Sequence, residues 1–392
     1  IKGNVHYVGV NDRNKHRFEA MWPLPYGVSY NSYLIDDEMV ALVDTVDICY
    51  FEVYLRKIKQ VIGERPINYL IINHMEPDHS GSIRLIKQHY PEIIIVGNKQ
   101  TFGMIEGFYG VTGEQYLVKE GDFLALGHHK LRFYMTPMVH WPETMMTFDE
   151  TDGVLFSGDG FGCFGTVDGG FLDTRINVDK YWGEMVRYYS NIVGKYGSPV
   201  QKALQKLGGL PISAICSTHG PVWTENIAKV IGIYDRLSRY DADEGVVIAY
   251  GSMYGNTEQM AEAIAEELSA QGVKNIVMHN VTKSHPSYII ADIFRYKGLI
   301  IGSPTYSNQI FPEVEALLSK ILLREVKGRY LGYFGSFAWA GAAVKRLAEF
   351  AEKSKFELVG DPVEMKQAMK DLTYTQCENL ARAMADRLKK DR

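Results

Sequence analysis

Cysteine is scarce in this chain of 392 residues. Its four cysteines are far apart and form no C-x-x-C pair: Cys49, Cys163, Cys216 and Cys377. Isolated cysteines argue against a disulfide framework, a zinc ribbon, a rubredoxin-like iron site and a cysteine-ligated iron–sulfur cluster. The pattern predicts a protein of the reducing cytoplasm.

The chain also lacks a long apolar run, an internal repeat and a strong excess of either charge. No segment approaches the length of a membrane span, and residues 1–5 do not resemble a signal peptide. The net charge of -5 gives no basis for binding nucleic acid or an anionic membrane surface. Hydrophobic residues make up 46% of the chain and charged residues 23%, which is typical of a globular protein, and the length predicts two or three domains.

Candidate metal ligands are concentrated in one stretch, His-Met-Glu-Pro-Asp-His at residues 74–79, directly after the apolar run Tyr69–Ile72. The apolar run predicts a buried strand, so the ligands lie in the loop at its carboxyl end. In an extended loop the i, i+2 spacing puts His74, Glu76 and Asp78 on one side. Imidazole and carboxylate suit iron, manganese or zinc, and two carboxylates favour a redox-capable ion over structural zinc. The alternative is an ordinary polar loop.

Three more candidate ligands, His140, Asp159 and His219, each follow a predicted strand. Taken alone, a histidine at a strand end is more often a structural residue. Their common placement favours a site, because such strand ends could converge on one edge of a sheet. Alternating strands and helices around them predict a layered α/β sandwich with mixed sheets. The predicted strands are Ser29–Ile35, Met39–Asp44, Tyr69–Ile72, Glu92–Gly97, Asp122–Leu126, Leu131–Thr136 and Val154–Ser157, and the predicted helices are Phe51–Ile62, Tyr181–Gly194 and Pro199–Leu207.

The ligand pattern resembles the metallo-β-lactamase fold, an αββα sandwich. Its hydrolases normally carry histidine where this chain has Glu76, and a carboxylate at that position is the variation found in flavodiiron proteins. The resemblance implies a site that holds two irons. It also implies the ligands of each iron, with His74, Glu76 and His140 on one, Asp78, His79 and His219 on the other, and Asp159 bridging them.

A polar stretch, Arg239–Glu244, predicts a boundary between a first domain, residues 1–243, and a second, residues 244–392. The second begins with a buried strand, Gly245–Tyr250, a loop with Gly and hydroxyl residues, and the helix Glu258–Gln271. This order presents backbone N–H groups and a positive helix end to a phosphate. The loop has no Lys or Arg and no G-x-x-x-x-G-K signature, so it does not indicate an NTPase. An ordinary strand-to-helix turn is the alternative.

Two further buried strands, Lys297–Gly302 and Tyr330–Gly335, end in loops of similar character. In a doubly wound parallel sheet these three strand ends meet at the topological switch point, where such folds bind FMN. Tyr306 and Trp339 could stack on a flavin ring, although packing in the core explains an aromatic residue equally well.

The three loops resemble a flavodoxin module. Its usual phosphate loop reads T-x-T-G-x-T, whereas this chain has Ser-Met-Tyr-Gly-Asn-Thr at residues 252–257. The resemblance implies FMN as a cofactor. The residues implied to hold it are Ser252, Met253, Tyr254, Gly255, Asn256, Thr257, Pro304, Thr305, Tyr306, Ser307, Asn308, Ser336, Phe337, Ala338, Trp339 and Gly341.

A lactamase-like half followed by a flavodoxin-like half resembles the two-domain flavodiiron proteins. The resemblance implies an oxidoreductase that reduces O2 to water, NO to nitrous oxide, or both, at a non-haem diiron site supplied with electrons by FMN. The electrons would come from a separate carrier, a rubredoxin or a reduced deazaflavin coenzyme. The chain would form a head-to-tail homodimer or a dimer of dimers.

Two alternatives belong to other functional classes. A zinc metallohydrolase fused to a flavodoxin domain would prefer an imidazole at the position of Glu76. An electron-transfer or binding protein with a silent metal site would have no need for all seven ligands. The sequence does not rank O2 against NO.

Overall fold

The computed structural model describes residues 1–391 and separates into two compact units, Ile1–Ser238 and Arg239–Arg392. The boundary drawn from the sequence, after residue 243, falls where the first strand of the second unit begins. None of the helices in the described part of the chain is both long and apolar enough to cross a membrane.

The first unit contains a six-stranded sheet of order β1-β6-β7-β8-β9-β10 and a five-stranded sheet of order β11-β12-β13-β14-β15. Its strands are β1 Val5–Tyr7, β2 Val10–Asp12, β3 Arg17–Phe18, β4 Trp22–Pro23, β5 Val28–Tyr30, β6 Tyr33–Ile35, β7 Ala41–Val43, β8 Tyr69–Ile71, β9 Ile94–Gly97, β10 Gln115–Leu117, β11 Phe123–Ala125, β12 Lys130–Met135, β13 Met145–Asp149, β14 Val154–Gly158 and β15 Ala214–Ser217. Its helices are α1 Phe51–Ile62, α2 Pro77–Ser80, α3 Ile83–His89, α4 Lys99–Tyr109, α5 Asp179–Tyr188, α6 Gly197–Leu207 and α7 Ile227–Ser238.

The two sheets pack face to face through alternate side chains of their strands. Val43 and Ile71 of one sheet share a buried cluster with Phe133 and Phe156 of the other. The intervening residues point to the opposite face, and Leu70, like its neighbours there, is also fully buried. Because both faces of the sheet are apolar, helices must cover the outer one. The predicted α/β sandwich is confirmed.

Two local predictions differ from the structure. The predicted strand 29–35 is two strands, β5 and β6, because Asn31 turns inward and donates to the main-chain oxygens of Ser217 and Gly220. The predicted helix 181–194 continues beyond α5 as a π-helical turn, Tyr189–Val193, in which all five residues are buried. Such wide turns commonly occur near functional sites.

The second unit is a doubly wound sheet of order β17-β16-β18-β20-β21, in which all these neighbours are parallel. This is the 2-1-3-4-5 order of flavodoxin-like folds, and the predicted doubly wound sheet is confirmed. The strands are β16 Asp243–Tyr250, β17 Ile276–Asn280, β18 Tyr296–Tyr306, β19 Gln309–Ile310, β20 Tyr330–Phe337, β21 Glu357–Leu358 and β22 Val363–Lys366, and the helices are α8 Asn256–Ala270, α9 Pro286–Arg295, α10 Pro312–Arg324, α11 Ala343–Ser354 and α12 Asp371–Lys389.

Candidate metal centre and flavin site

Four of the predicted ligands form a first ligand group, His74, Glu76, His140 and Asp159. His140 Nε2 lies 3.1 Å from Glu76 Oε2 and 3.2 Å from Asp159 Oδ2. His74 Nε2 lies 3.5 Å from each of these two oxygens. All four side chains are buried, so their polar atoms face one another instead of water.

The other three predicted ligands form a second ligand group, Asp78, His79 and His219. The Nε2 atoms of the two histidines lie 3.0 Å apart, and each is 3.4 Å from Asp78 Oδ2. Asp159 joins the two groups: its Oδ2 faces the first, while its Oδ1 lies 3.1 Å from His79 Nε2. All seven candidates therefore converge on one place, with one carboxylate shared between two clusters.

The loop after β8 divides its four ligands between these groups because it is not fully extended. Pro77 starts the short helix α2, so Asp78 and His79 lie on a helical turn and belong to the second ligand group, whereas His74 and Glu76 belong to the first. The predicted extended loop is therefore wrong from Pro77 onward, although His74, Glu76 and Asp78 all belong to the two joined ligand groups.

Buried Asp44, at the end of β7, fixes the beginning of the same loop. Its Oδ1 accepts hydrogen bonds from the main-chain N–H groups of Asn73 and His74, at 2.8 and 3.3 Å. Its Oδ2 accepts from Asn73 Nδ2 at 3.1 Å. The carboxylate thus ties the loop to the neighbouring strand.

The electrostatics of the two groups favour positive charge. Burial alone would lower the pKa of a histidine. Here Asp159 and neighbouring carboxylates outweigh burial, hold the pKa of His74 well above its usual value and raise that of His140 to about 9. Asp78 and Asp159 likewise raise the pKa of His79 to about 9 against the effect of burial. Hydrogen bonds from the histidines lower the pKa of Glu76 despite its burial.

The two groups suit a pair of metal ions. Ligand atoms bonded at about 2.1 Å to one ion lie roughly 3.0–3.4 Å apart, close to the spacings within each group. His74 Nε2 and both carboxylate oxygens of Asp78 are buried and have no hydrogen-bonding partner among the described residues. Buried polar atoms without a partner are costly, and a cation between them would satisfy them. Mixed nitrogen and oxygen donors match the preferences of iron.

Most of the flavin-site candidates line a cavity of about 330 Å³ at the carboxyl ends of β16, β18 and β20. This volume is within the usual range for a cofactor pocket. The hydroxyls of Thr257 and Ser336 share a hydrogen bond of 2.8 Å at the cavity. The lining residues are Met253, Tyr254, Asn256, Thr257, Pro304, Thr305, Tyr306, Ser307, Asn308, Ser336, Phe337, Ala338, Trp339, Ala340 and Gln367.

The rim of this cavity is aromatic and open to solvent. Trp339 is 81% exposed, Tyr254 87% and Tyr306 48%. Because these three side chains lie around one cavity, they form an exposed apolar patch, and such patches mark binding sites. Together with the amino end of α8, which can bind a phosphate, these rings suit a flavin phosphate and its flat ring.

Three of the predicted flavin contacts do not line the cavity. Ser252 accepts a hydrogen bond from the N–H of Gly255 at 3.1 Å and thereby shapes the loop. Gly255 has a φ of 89° immediately before α8, a conformation that favours glycine. At Gly341 a side chain would collide with the carboxylate of Glu364. The cavity instead includes Gln367, which the sequence did not indicate.

Comparison with known proteins agrees with both halves. Residues 28–220 match the family described as ODP family beta lactamase, and residues 248–379 match Flavodoxin. The anaerobic nitric oxide reductase flavorubredoxin of Vibrio vulnificus (strain YJ016) is 32% identical over 363 residues, which are 91% of this chain and 73% of that protein.

Two solved structures resemble the chain over almost its whole length. Rubredoxin oxygen:oxidoreductase from Desulfovibrio gigas has a TM-score of 0.95 at 31% identity, covering 99% of this chain and 97% of that one. The flavodiiron protein from Giardia intestinalis has a TM-score of 0.92 at 26% identity, with the same coverage. The chain belongs to the flavodiiron protein family. Flavodiiron proteins are oxidoreductases, and membership implies FMN and a non-haem diiron site.

Two residues of this flavodiiron protein hold candidate ligands in place, although the sequence pattern did not indicate them. Glu143 Oε1 lies 2.9 Å from His74 Nδ1, and Thr218 donates its hydroxyl to Asp159 Oδ1 at 2.5 Å. Each lies within three residues of a candidate ligand, His140 or His219. That proximity was the available signal, but it does not separate a supporting residue from an ordinary loop residue.

Proposed function

We propose that this flavodiiron protein reduces O2 to water, NO to nitrous oxide, or both. The observation that carries the proposal is the shared carboxylate of Asp159, whose two oxygens face two clusters of buried ligands. Both substrates are kept in the proposal because of the names of two similar proteins. One is named a nitric oxide reductase and the other an oxygen:oxidoreductase.

The proposed ligand assignment follows the two groups. His74, Glu76 and His140 would hold one iron, Asp78, His79 and His219 the other, and Asp159 would bridge them. When bound, the irons and FMN supply the redox chemistry, which needs four electrons and four protons for each O2 or two of each for every pair of NO. The carboxylates of the chain offset the positive charge of the ions.

Aromatic side chains beside the ligands would limit the access of water to the metal centre. The ring of Trp141 lies 5.4 Å from that of His74, edge to face. Phe18 is similarly placed 5.2 Å from His219 and is 2% exposed. Excluding water around the ligands strengthens electrostatic interactions and limits side reactions.

In the second unit the proposed flavin contacts are the cavity-lining residues. The N–H groups at the start of α8 would bind the phosphate, and Trp339 and Tyr306 would flank the ring. Electrons would come from a separate carrier such as a rubredoxin or a reduced deazaflavin coenzyme. A head-to-tail homodimer or dimer of dimers, and a cytoplasmic location, remain predictions.

The experiment that tests the function is anaerobic reduction of protein loaded with iron and FMN, followed by parallel measurement of O2 and NO consumption. We expect rapid consumption of at least one gas, with about two irons and one FMN for each chain. The relative rates then rank O2 against NO.

Two results would contradict the proposal. Reduced, fully loaded protein that ignores both gases would indicate a silent metal site. Purified protein that binds zinc and hydrolyses esters or lactams would support the metallohydrolase alternative.

A further inference from the structure

The ligand histidines differ in what supports the ring nitrogen that faces away from the ligand groups. The Nδ1 of His74 is hydrogen-bonded to a carboxylate, Glu143 Oε1, at 2.9 Å. The Nδ1 of His219 meets a neutral acceptor, the main-chain oxygen of Ser29, at 2.7 Å. The Nδ1 of His79 is buried and has no partner within residues 1–391. A carboxylate is thus hydrogen-bonded to an Nδ1 in the first ligand group, whereas neither Nδ1 of the second group has such a partner.

Glu143 is itself firmly held. It is 0% exposed, and its Oε1 also accepts a hydrogen bond from the main-chain N–H of Met75 at 2.9 Å. Its main-chain oxygen accepts from Asn98 Nδ2 at 2.5 Å, while Asn98 Oδ1 caps the first turn of α4. Glu143 follows His140 by three residues. One loop therefore carries both His140, a candidate ligand of the first group, and Glu143, which holds His74 of the same group.

A charged acceptor acts on a metal-binding histidine in two ways. It fixes the tautomer and the orientation of the ring, so that the opposite nitrogen faces the metal. It also polarises the N–H bond, which makes that nitrogen a stronger donor, and a charge-assisted hydrogen bond is roughly twice as strong as a neutral one.

We propose that Glu143 is a positioning residue that makes the two metal sites unequal, so that the first ligand group holds its ion more tightly than the second. This inference rests on the proposed diiron function. It adds an asymmetry between the two ions, set by a side chain that is not itself a ligand.

The test removes the negative charge of the Glu143 side chain while keeping its shape. Glu143→Gln keeps an oxygen that can accept from His74 and Met75 but removes the carboxylate. Glu150→Gln is the matched control, because Glu150 is an exposed residue at the end of β13, paired with Lys130 at 3.3 Å. Each protein is loaded anaerobically with Fe(II), and release of iron to the chelator ferrozine is followed over time.

We expect wild-type protein and the Glu150→Gln variant to release their two irons in two phases. In Glu143→Gln the slow phase should accelerate about 10- to 100-fold, while the fast phase stays unchanged. One of the two iron signals in the Mössbauer spectrum should shift, because only one ion is bound by a histidine whose hydrogen-bonding partner has changed. FMN content and the free energy of unfolding should match those of the control, which separates positioning from a general loss of structure.

An unchanged slow phase in Glu143→Gln, or an equal acceleration of both phases, would overturn the inference while leaving the diiron function intact. Wild-type protein that holds fewer than two irons would overturn the proposed function, and this inference with it. Release of both irons in a single phase from wild-type protein would contradict the asymmetry alone.

Discussion

The two units offer their cofactors very different surroundings. In the first, all seven candidate ligands are ionisable side chains with 7% exposure or less. In the second, the cavity is lined by neutral side chains, and two of its aromatic residues, Tyr254 and Trp339, are 87% and 81% exposed. Buried charges demand a compensating ion, whereas an open apolar rim offers a surface on which a flat ring can stack. In each unit the site lies where strands end, but the side chains there suit a different kind of cofactor.

The strongest test of this difference removes the carboxylate shared by the two ligand groups. Asp159→Ala should lose paired iron and gas reduction, because neither group keeps its common ligand, while FMN stays bound in the other unit. Iron and FMN contents and gas consumption are measured together. Asp168→Ala, at an exposed ion pair with Arg13, is the control. Unchanged turnover in Asp159→Ala would remove Asp159 from the assignment.

A second test asks whether the units are independent in stability. Arg329 is 1% exposed and donates to the main-chain oxygens of Ile293, Phe294 and Tyr240. Arg329→Met should destabilise the second unit by about 2–5 kcal/mol, because these buried oxygens lose their donor. Urea unfolding followed by FMN release measures the loss, and iron should stay bound at urea concentrations at which the variant has already released its FMN. Simultaneous loss of iron and FMN would show that the units unfold together.

A third test concerns another buried charge pair in the first unit, outside the metal centre. His129 Nδ1 lies 2.9 Å from Asp149 Oδ2, and this hydrogen bond, opposed by burial, raises the pKa of His129. A raised folded-state pKa stabilises the fold below the usual value of 6.5, and the contribution is lost as pH rises through the folded-state pKa.

His129→Asn, whose amide can still donate to Asp149, should therefore lower the free energy of unfolding by about 1.5–3 kcal/mol near pH 6. The deficit should shrink as pH rises. Urea unfolding at several pH values measures it, with the exposed neighbour His128→Asn as control. A deficit that does not depend on pH would mean that the charge of His129 contributes nothing.

The smallest expected effect is at the flavin rim. Trp339→Ala should weaken FMN binding about tenfold, because one stacking face is lost, and should leave iron content unchanged. Fluorescence titration of apoprotein with FMN measures the affinity. Leu323→Ala, at a residue of α10 that is 60% exposed, is the control. Equal affinity in both variants would place the ring elsewhere in the cavity.

The comparison also explains what the sequence could predict. The candidate ligands that the structure brings together could be picked out because only a few residue types bind iron and these follow apolar strands. The doubly wound sheet was identifiable from its buried strands. Gln367 was missed because it reaches the cavity from the end of β22, a short strand far along the chain, and a glutamine has no distinctive signal. Glu143 was also missed because its role depends on a residue far away in the chain. Its partner, His74, lies 69 residues earlier.

None of the described residues that line the flavin cavity carries a charge. Added salt therefore has little to screen between the protein side chains and the cofactor phosphate, and the affinity for FMN should hardly change with ionic strength. Docking of the proposed electron carrier would depend on charges at the surface if the two proteins are electrostatically complementary, and it would then be sensitive to salt. If turnover falls as salt is added, the weakened step is the encounter with the carrier, while the flavin remains in place.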